Sequence, residues 1–242
     1  MQVTWDENYR NFVITRIKRI QTLVPRRNFK GKYILDVGCW WGWFIRYARE
    51  SEALVYGFDY VIRRINDAVE HLGNKKGLCI ADAQEVPYRA SDFDVVFSSH
   101  VLEHIEKEDK MLKEIYRVLK KNGNLIVIVP YDYSFGILPF RPFRYLLKNS
   151  ENILKKYNRY DWLKSITYGD ISHYREYTKK TLVRLLERNG FEIIEIKAFG
   201  FELPYPFKGR FKKSFHANID RIFGELVPPF LRSEIILHAR KK

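Results

Sequence analysis

The stretch that most constrains this sequence is YILDVGCWWGWF, at residues 33–44. It opens with an apolar run typical of a buried strand, passes through a glycine-containing turn and resumes as an amphipathic segment at Trp43. Gly38 and Gly42 let the backbone bend and approach a ligand closely, which a side chain at either position would obstruct. The helix after the turn would offer free N–H groups and a positive dipole end to an anionic group. The stretch therefore predicts a nucleotide or cofactor site at the edge of a parallel sheet.

The rest of the chain repeats an alternation of strands and helices. Further apolar runs of strand length follow at residues 53–59, 77–83, 93–99, 124–130, 191–199 and 233–240. A helix is predicted over 107–121, with Asn122 and Gly123 as its C-cap. Strands that are apolar throughout indicate a parallel sheet covered on both faces, and the two late strands are expected to pair antiparallel at the sheet edge. The predicted fold is α/β: a doubly wound, Rossmann-like, mainly parallel seven-stranded sheet with an antiparallel last strand and a lid insertion.

A length of 242 residues suits a single domain, 1–242, with elaborations. Residues 1–29 are expected to hold a basic amphipathic helix that packs on the sheet or covers the site; a membrane-surface helix is the alternative. The aromatic and basic stretch 131–177 leaves the carboxyl end of the fifth strand, so we expect it to form an acceptor-side insertion or lid. Residues 201–232, with a helix near 216–226, are a C-terminal elaboration.

The net charge of +14 is unevenly distributed. It is about +6 over residues 1–32, about −2 over 33–131, and about +5 over each of 132–181 and 201–242. A near-neutral centre with basic flanks favours an anionic partner, such as nucleic acid, an anionic membrane surface or a phosphorylated substrate. A charge-rich, solvated surface explains the same pattern without any partner.

Two cysteines in 242 residues form neither a disulfide framework nor a metal motif. The sequence has no run of 18 apolar residues and no apolar N-terminal signal. We therefore expect a cytoplasmic protein with no metal site, and leave open a position peripheral to the membrane.

Polar residues stand where predicted strands end. Asp36, Asp59, Asp82 and Ser99 all fall at or near the carboxyl ends of strands, where ligands of parallel sheets bind. Asp59 follows the glycine turn by about 20 residues, the spacing of a carboxylate that accepts hydrogen bonds from a ribose diol.

Three blocks of this sequence resemble the class I S-adenosylmethionine-dependent methyltransferases, within them the quinone-biosynthesis-like type-11 group. ILDVGCWWGWF is similar to the cofactor motif of the family. FDVVFSSHVLEHIE followed by LKEIYRVLKKNGNLIVIVPY is similar to the block after that motif, and HYREYTKKTLVRLLERNGFEIIEI resembles the segment where the family resumes after a variable insertion. The resemblance covers roughly residues 30–131 and 172–200.

The resemblance implies S-adenosylmethionine as cofactor. Asp36, Gly38 and Gly42 would then frame its methionine moiety, Asp59 would accept from the ribose hydroxyls, and Asp82 with Ala83 would face the adenine. The cofactor-binding residues that we expect are Asp36, Gly38, Cys39, Trp40, Gly42, Asp59, Tyr60, Asp82, Ala83 and Ser99.

Trp40 departs from the family pattern, which usually has glycine there. A tryptophan fits only if its backbone φ is negative or if its indole swings out of the path of the ligand. Trp40 and Trp41 are expected to stack on the cofactor or cover it, and core packing is the alternative for one of them.

An acceptor with a removable proton benefits from a general base. The candidates are His100, which lies with Ser99 near the transferred methyl group, and Glu103, His104 and His173. Hydrogen bonding that shapes the site, without proton transfer, is the alternative role for Glu103, His104 and His173.

The leading interpretation is methyl transfer to an oxygen, nitrogen or carbon of a small-molecule, lipid-linked or glycan-linked acceptor. The alternative is an RNA or DNA methyltransferase, which the basic flanks favour, although SSHV stands where base-recognising enzymes carry an NPPY or PC motif. A second alternative is a non-catalytic cofactor-binding regulator. The sequence does not indicate the oligomeric state.

Overall fold

The computed structural model describes residues 7–131, 174–175, 177–200 and 232–242. Most of the predicted insertion, His173 and the helix expected near 216–226 lie outside these residues. In chain order the described helices and strands are α1 (Glu7–Gln21), β1 (Tyr33–Val37), α2 (Trp43–Arg49), β2 (Leu54–Asp59), α3 (Ile62–Leu72), β3 (Leu78–Ile80), β4 (Phe93–Ser99), α4 (Glu108–Val118), β5 (Leu119–Pro130), α5 (Lys179–Arg188), β6 (Phe191–Phe199) and β7 (Glu234–Lys241). Short 3-10 turns occupy Arg26–Phe29 and Leu102–His104.

The seven strands form one sheet in the order β3-β2-β1-β4-β5-β7-β6. The first five strands pair in parallel, whereas β7 runs antiparallel to both β5 and β6. This confirms the predicted mainly parallel, seven-stranded α/β sheet with an antiparallel last strand. Among the described residues, no helix combines the length and hydrophobicity needed to cross a bilayer.

Both faces of the sheet are covered, because alternate strand residues point to opposite sides. On one face Leu35 and Val96 belong to a buried cluster with the apolar sides of α4 and α5. On the other face Ile34 and Val95 pack in a second cluster with α1, α2 and α3. The basic N-terminal helix is therefore part of the core in the described structure.

The sheet register brings the ends of distant strands to one edge. Val37 pairs with Phe58 on one side and with Ser98 on the other, so the residues after β1, β2 and β4 are neighbours. Because β7 is antiparallel, its first residue, Glu234, reaches the same edge opposite Pro130. One edge thus collects the carboxyl ends of the parallel strands and the amino end of the last strand.

The predicted C-cap at Asn122 and Gly123 is wrong. The helix α4 ends at Val118, and β5 begins directly at Leu119. Leu119 is fully buried and pairs with Phe93, so the sheet captures the chain before the helix reaches its expected end. Asn122 adopts a left-handed φ of 60° inside this strand, where the register against β4 shifts.

Candidate cofactor and acceptor site

The turn after β1 folds back onto the end of β2. The backbone N–H groups of Gly38 and Cys39 both donate to the Phe58 carbonyl, each at 2.9 Å. Gly38 and Gly42 have φ values of 71° and 81°, and Gly42 is the N-cap of α2. The turn therefore adopts a conformation that glycine accepts at little cost.

Packing also requires glycine at these positions. A Cβ atom on Gly38 would lie 2.3 Å from Cγ2 of Val101, and one on Gly42 would lie 2.9 Å from Cδ1 of Leu72. The sequence predicts that glycine is needed at these positions to make room for a ligand, whereas in the structure the close neighbours belong to the protein. Val101 follows β4, so the glycine turn packs directly against the acceptor-side loop.

Asp59 is the last residue of β2, and its side chain joins the glycine turn to the start of α3. One carboxylate oxygen, Oδ2, accepts from the backbone N–H of Trp40 at 3.2 Å, and Oδ1 accepts from the backbone N–H of Val61 at 3.0 Å. The guanidinium of Arg64 lies 3.6 Å from Oδ1. A carboxylate oxygen accepts more than one hydrogen bond, so this geometry leaves Asp59 able to receive a diol as well.

Asp36 and Cys39 are buried beside this carboxylate. Burial raises the pKa of Asp36 well above its usual range, and the negative charge of Asp59 raises it further. Burial, together with Asp36 and Asp59, also raises the pKa of the Cys39 thiol, which stays protonated. Two acidic groups close together in a buried place favour a cationic ligand, because a cation stabilises their charged forms.

Trp40 has a positive φ of 46°, so the first of the two alternatives predicted for it, a negative φ, does not apply. The left-handed backbone directs its N–H to Asp59, and the indole turns outward with 47% of the residue exposed. Trp41, by contrast, lies in the core, with its ring 4.7 Å from that of His71 in an edge-to-face contact. The two adjacent tryptophans therefore have different environments.

Exposed apolar side chains surround the carboxyl ends of β2 and β3. Tyr60 is 76% exposed and Ile80 is 52% exposed. Asp82 lies two residues after β3, which is shorter than predicted, and its Oδ1 accepts from the backbone N–H of Gln84 at 2.8 Å. Ala83 is buried. An exposed apolar surface beside a buried carboxylate is an arrangement that suits a nucleoside.

His100 follows Ser99, the last residue of β4, and has a left-handed φ of 55°. Its backbone N–H donates to the Ile128 carbonyl of β5 at 2.9 Å. The ring atom Nδ1 lies 3.1 Å from Oε1 of Glu103, a fully buried side chain.

His100 belongs to a cluster of charged side chains, which we call the acceptor-side cluster: Arg16, Arg19, His100, Glu103 and Glu234. Nε2 lies 2.7 Å from Nη2 of Arg16 and 3.1 Å from Oε1 of Glu234. Arg16 also forms an ion pair with Glu234 and donates to the Ser99 hydroxyl at 3.4 Å. The guanidinium of Arg19 lies 3.8 Å from Oε2 of Glu234.

The charges of this cluster shift the pKa values of its members in opposite directions. Burial and Arg16 lower the pKa of His100, but hydrogen bonds to Glu103 and Glu234 outweigh them and hold it above its usual value. Burial raises the pKa of Glu234, but Arg16, His100 and Arg19 outweigh it and hold that pKa well below its usual range. The cluster thus pairs an ionised carboxylate with a histidine of increased basicity.

Sequence reasoning missed Arg16 and Glu234. Arg16 stands three residues after Val13 and four before Ile20, on the apolar stripe of α1, where an arginine needs a buried partner. That signal could have drawn attention to Arg16. Its partner could not be found in this way, because Glu234 lies 218 positions further along the chain.

The remaining predicted residues lie on or after the 3-10 turn that follows β4. His104 ends this turn and is half-buried. The backbone carbonyl of Glu103 accepts from the N–H of Tyr174 at 2.8 Å, and Tyr177 bridges to Tyr131. Both described ends of the 131–177 stretch therefore lie close to the turn that follows β4. His173 lies outside the described residues.

Residues 5–196 of this chain match a family model described as a methyltransferase domain. The demethylmenaquinone methyltransferase of Geobacillus kaustophilus is 28% identical over 185 residues, which cover 71% of this chain and 76% of that protein. The ubiquinone/menaquinone biosynthesis C-methyltransferase of Campylobacter jejuni is 26% identical over 196 residues, covering 76% of this chain and 79% of that protein.

The solved structure of an S-adenosylmethionine-dependent methyltransferase from Mesorhizobium loti has a TM-score of 0.63 to this chain at 21% identity. The superposition covers 93% of this chain and 96% of that one, so the two share their fold. The family model spans most of the present chain, and its cofactor edge has the carboxylates and glycine turn that such a cofactor needs. This chain belongs to the methyltransferase domain family and is a class I S-adenosylmethionine-dependent methyltransferase.

Proposed function

We propose that this enzyme methylates a lipid-linked small molecule whose acceptor group carries a removable proton. The observation that carries the proposal is the position of His100. It lies beside the glycine turn, next to Val101, and two carboxylates hold its ring. Its side chain keeps 29% of its surface exposed, which leaves it accessible to an acceptor.

We assign the cofactor to the edge formed by β1, β2 and β3. Asp59 accepts from the ribose hydroxyls, Asp36 and the glycine turn hold the cationic methionine end, and Tyr60 with Ala83 borders the adenine. The full assigned set is Asp36, Gly38, Cys39, Trp40, Gly42, Asp59, Tyr60, Asp82, Ala83 and Ser99. When bound, the cofactor supplies a methyl group activated by a positively charged sulfur.

The tasks left to the protein on the acceptor side are alignment and proton removal. Alignment of the acceptor contributes most, because a displacement of this kind depends on proximity and direction. His100 removes the proton from an oxygen, nitrogen or activated carbon as the new bond forms, and its increased basicity suits this role near neutral pH. His104 and His173 are the further candidates for this base.

The class of acceptor follows from two lines of support. Two relatives of this chain carry names that refer to demethylmenaquinone and to ubiquinone/menaquinone biosynthesis. A reduced quinone ring carries hydroxyls whose protons can be removed. The stretch 131–177 combines aromatic residues with an excess of basic ones, and both of its described ends lie close to the turn that follows β4. We therefore propose that this stretch contacts the apolar tail of the acceptor and an anionic membrane surface, in a cytoplasmic enzyme that works at the periphery of the membrane.

The test is methyl transfer from labelled cofactor to three acceptors offered in parallel. These are a demethylated prenyl naphthoquinol in detergent micelles, a polyprenyl-linked glycan and mixed cellular RNA. We expect label in the prenyl quinol fraction, at least 10-fold lower activity in His100→Gln, and unchanged activity in the control Glu192→Gln, whose pair with Arg240 lies on the distant part of the sheet. Label in the glycan alone would contradict the quinol-type acceptor.

The net charge of +14 favours one other class, nucleic acid. Binding to RNA would fall about 10³-fold or more between 50 and 200 mM salt, because each phosphate contact releases counterions. Binding to anionic vesicles through a few cations would depend on salt far less steeply. Label transfer to RNA with the steep dependence would overturn our proposal, and specific cofactor binding with no transfer to any acceptor would favour a regulator.

A further inference from the structure

We propose that Arg16 and Glu234 are positioning residues that hold Nε2 of His100 between a hydrogen-bond donor and an acceptor, so that the ring gains and loses a proton without turning. The inference rests on the proposed function, in which His100 takes the proton of the methyl acceptor. It also makes α1 and β7 parts of the acceptor site, although neither carries a motif of the family.

The first step identifies which ring nitrogen titrates. Nδ1 of His100 lies 3.1 Å from Oε1 of Glu103, and a carboxylate can only accept a hydrogen bond. Nδ1 therefore keeps its proton in both states of the ring. The backbone bond from His100 to Ile128, together with the left-handed φ of 55°, fixes the ring orientation at its base. The proton is thus gained and lost at Nε2.

The second step concerns the two neighbours of Nε2. Nη2 of Arg16 lies 2.7 Å away and is always a donor, whereas Oε1 of Glu234 lies 3.1 Å away and is an acceptor. In the neutral ring of the free enzyme the lone pair of Nε2 accepts a hydrogen bond from Arg16, and a bound acceptor takes the place of Arg16 as the donor before its proton is transferred. In the imidazolium, the new N–H donates to Glu234, and Arg16 keeps its ion pair with Glu234 and its bond to the Ser99 hydroxyl.

The third step balances the charges. The acceptor group would lose its proton to Nε2 of His100 and use the freed electron pair to bind the methyl carbon, while the bond between that carbon and the cofactor sulfur would break and leave its electrons on the sulfur. Among the described residues, the charged groups that face the ring are Arg16 from α1, Glu103 from the turn after β4 and Glu234 from β7, and Arg19 from α1 lies behind them against Glu234. Glu234 stabilises the imidazolium, and Arg16 opposes it, so the two residues act on His100 in opposite directions.

Because Arg16 and Glu234 should shift the pKa of His100 in opposite directions, the proposal can be tested without any methyl acceptor. The measurement is the titration of His100 in the full-length protein by nitrogen-15 NMR of the histidine rings, with the signal assigned through its loss in His100→Gln. We expect Glu234→Gln to lower the titration midpoint by about one pH unit, and Arg16→Met to raise it. Glu192→Gln, which breaks an exposed pair between β6 and β7, should leave the midpoint unchanged.

Activity provides the second readout. The acidic limb of the kcat profile against pH should move in the same direction as the NMR midpoint in each variant. At the optimum, kcat should fall about 10-fold while the Kd for the cofactor stays the same, since general-base catalysis contributes about 100-fold or more. Arg16→Lys retains the charge and a single donor, so it should lie between wild type and Arg16→Met.

Several outcomes separate this proposal from the proposed function. If the titration midpoint of His100 stays unchanged in both Arg16→Met and Glu234→Gln, or moves in the same direction in both, the positioning role is overturned. This holds even if prenyl quinols are methylated. If the midpoint moves in opposite directions in the two variants but no tested acceptor is methylated, the positioning role stands and the proposed acceptor class is overturned. Where Glu234→Gln or Arg16→Met does not fold, Glu234→Asp and Arg16→Lys apply the same test, because each moves the charged group away from Nε2 or reduces its donors.

Discussion

The cofactor side and the acceptor side of the sheet edge hold their charged groups in different ways. On the cofactor side, Asp59 is anchored by the backbone N–H groups of Trp40 and Val61, which lie 19 and 2 positions away. On the acceptor side, His100 is anchored by the side chains of Arg16 and Glu234, which lie 84 and 134 positions away.

This difference predicts how each side responds to mutation. The cofactor side depends on backbone conformation, so it is sensitive to added Cβ atoms and tolerant of side-chain changes nearby. The acceptor side depends on the identity of side chains from separate elements, so conservative substitutions there should change its protonation before they change its shape. The four predictions below test this contrast, from the largest expected effect to the smallest.

Gly38→Ala should have the largest effect. The substitution combines a φ of 71° with a contact of 2.3 Å to Val101, and we expect it to lower the free energy of unfolding by about 2–4 kcal/mol. Urea denaturation measures this loss. Gly31→Ala is the matched control, because Gly31 has a φ of 68° and no atom within 4 Å of the added Cβ. Equal losses in the two variants would show that backbone strain, not packing against Val101, requires glycine at position 38.

Asp59→Ala should weaken cofactor binding by about 10- to 150-fold, since losing charge-assisted hydrogen bonds costs roughly 1.5–3 kcal/mol. Titration calorimetry with the cofactor and with its demethylated product provides the measurement. Asp67→Ala, on the same helix as Arg64 but outside the site, is the control for the loss of a carboxylate. Unchanged affinity in Asp59→Ala would remove this residue from the cofactor site.

Glu234→Gln should reduce stability at neutral pH by about 1.5–3 kcal/mol, the range of hydrogen bonds to charged groups. The folded pKa of Glu234 is depressed, so its contribution is present above the unfolded pKa of about 4.5 and is lost as the pH falls below it. The difference between wild type and variant should therefore shrink between pH 5 and pH 3 in thermal or urea unfolding. A difference that stays constant over this range would mean that Glu234 contributes by packing and not by charge.

Trp40→Gly should have the smallest effect on stability, within about 1 kcal/mol, because relief of the left-handed strain offsets the lost contact with Trp41. The main consequence of this substitution should be a change in tryptophan fluorescence on cofactor binding. If Trp40 covers the cofactor, binding quenches part of the fluorescence of the five tryptophans, and the variant loses that part. Trp41→Phe, in the core, should keep it. Full quenching and unchanged affinity in Trp40→Gly would show that Trp40 does not contact the cofactor.

The sequence was sufficient to predict the fold because the strands that carry the cofactor edge are continuous apolar runs. The bounds of β4 and β6, at 93–99 and 191–199, agree with prediction, because both strands lie between clear polar breaks. Prediction failed at α4, where propensity favoured a longer helix and pairing with Phe93 drew Leu119 into the sheet. Tertiary pairing outweighed the local signal there.

The residues of the candidate site also divide into those that could be predicted from the sequence and those that could not. Asp59 and the glycines could be predicted because their spacing within one βαβ unit is itself the signal. The φ of Trp40 could not be predicted from the sequence, since it follows from the hydrogen bond between its N–H and Asp59. Arg16 and Glu234 could not be paired from sequence either, because nothing local connects a helix near one end of the numbering with a strand near the other.

The late position of β7 in the chain has a consequence for how the protein folds. In the native sheet, β7 pairs with β5 along Asn124 to Pro130 and attaches β6 to the sheet. Until β7 is available, β5 presents an unpaired edge whose apolar residues are buried only in the finished structure. Such an edge is prone to pair with other chains, and contacts between residues so far apart form slowly. A nascent or partly unfolded molecule should therefore be most vulnerable to aggregation at β5, and chaperones that bind extended apolar segments should recognise it there.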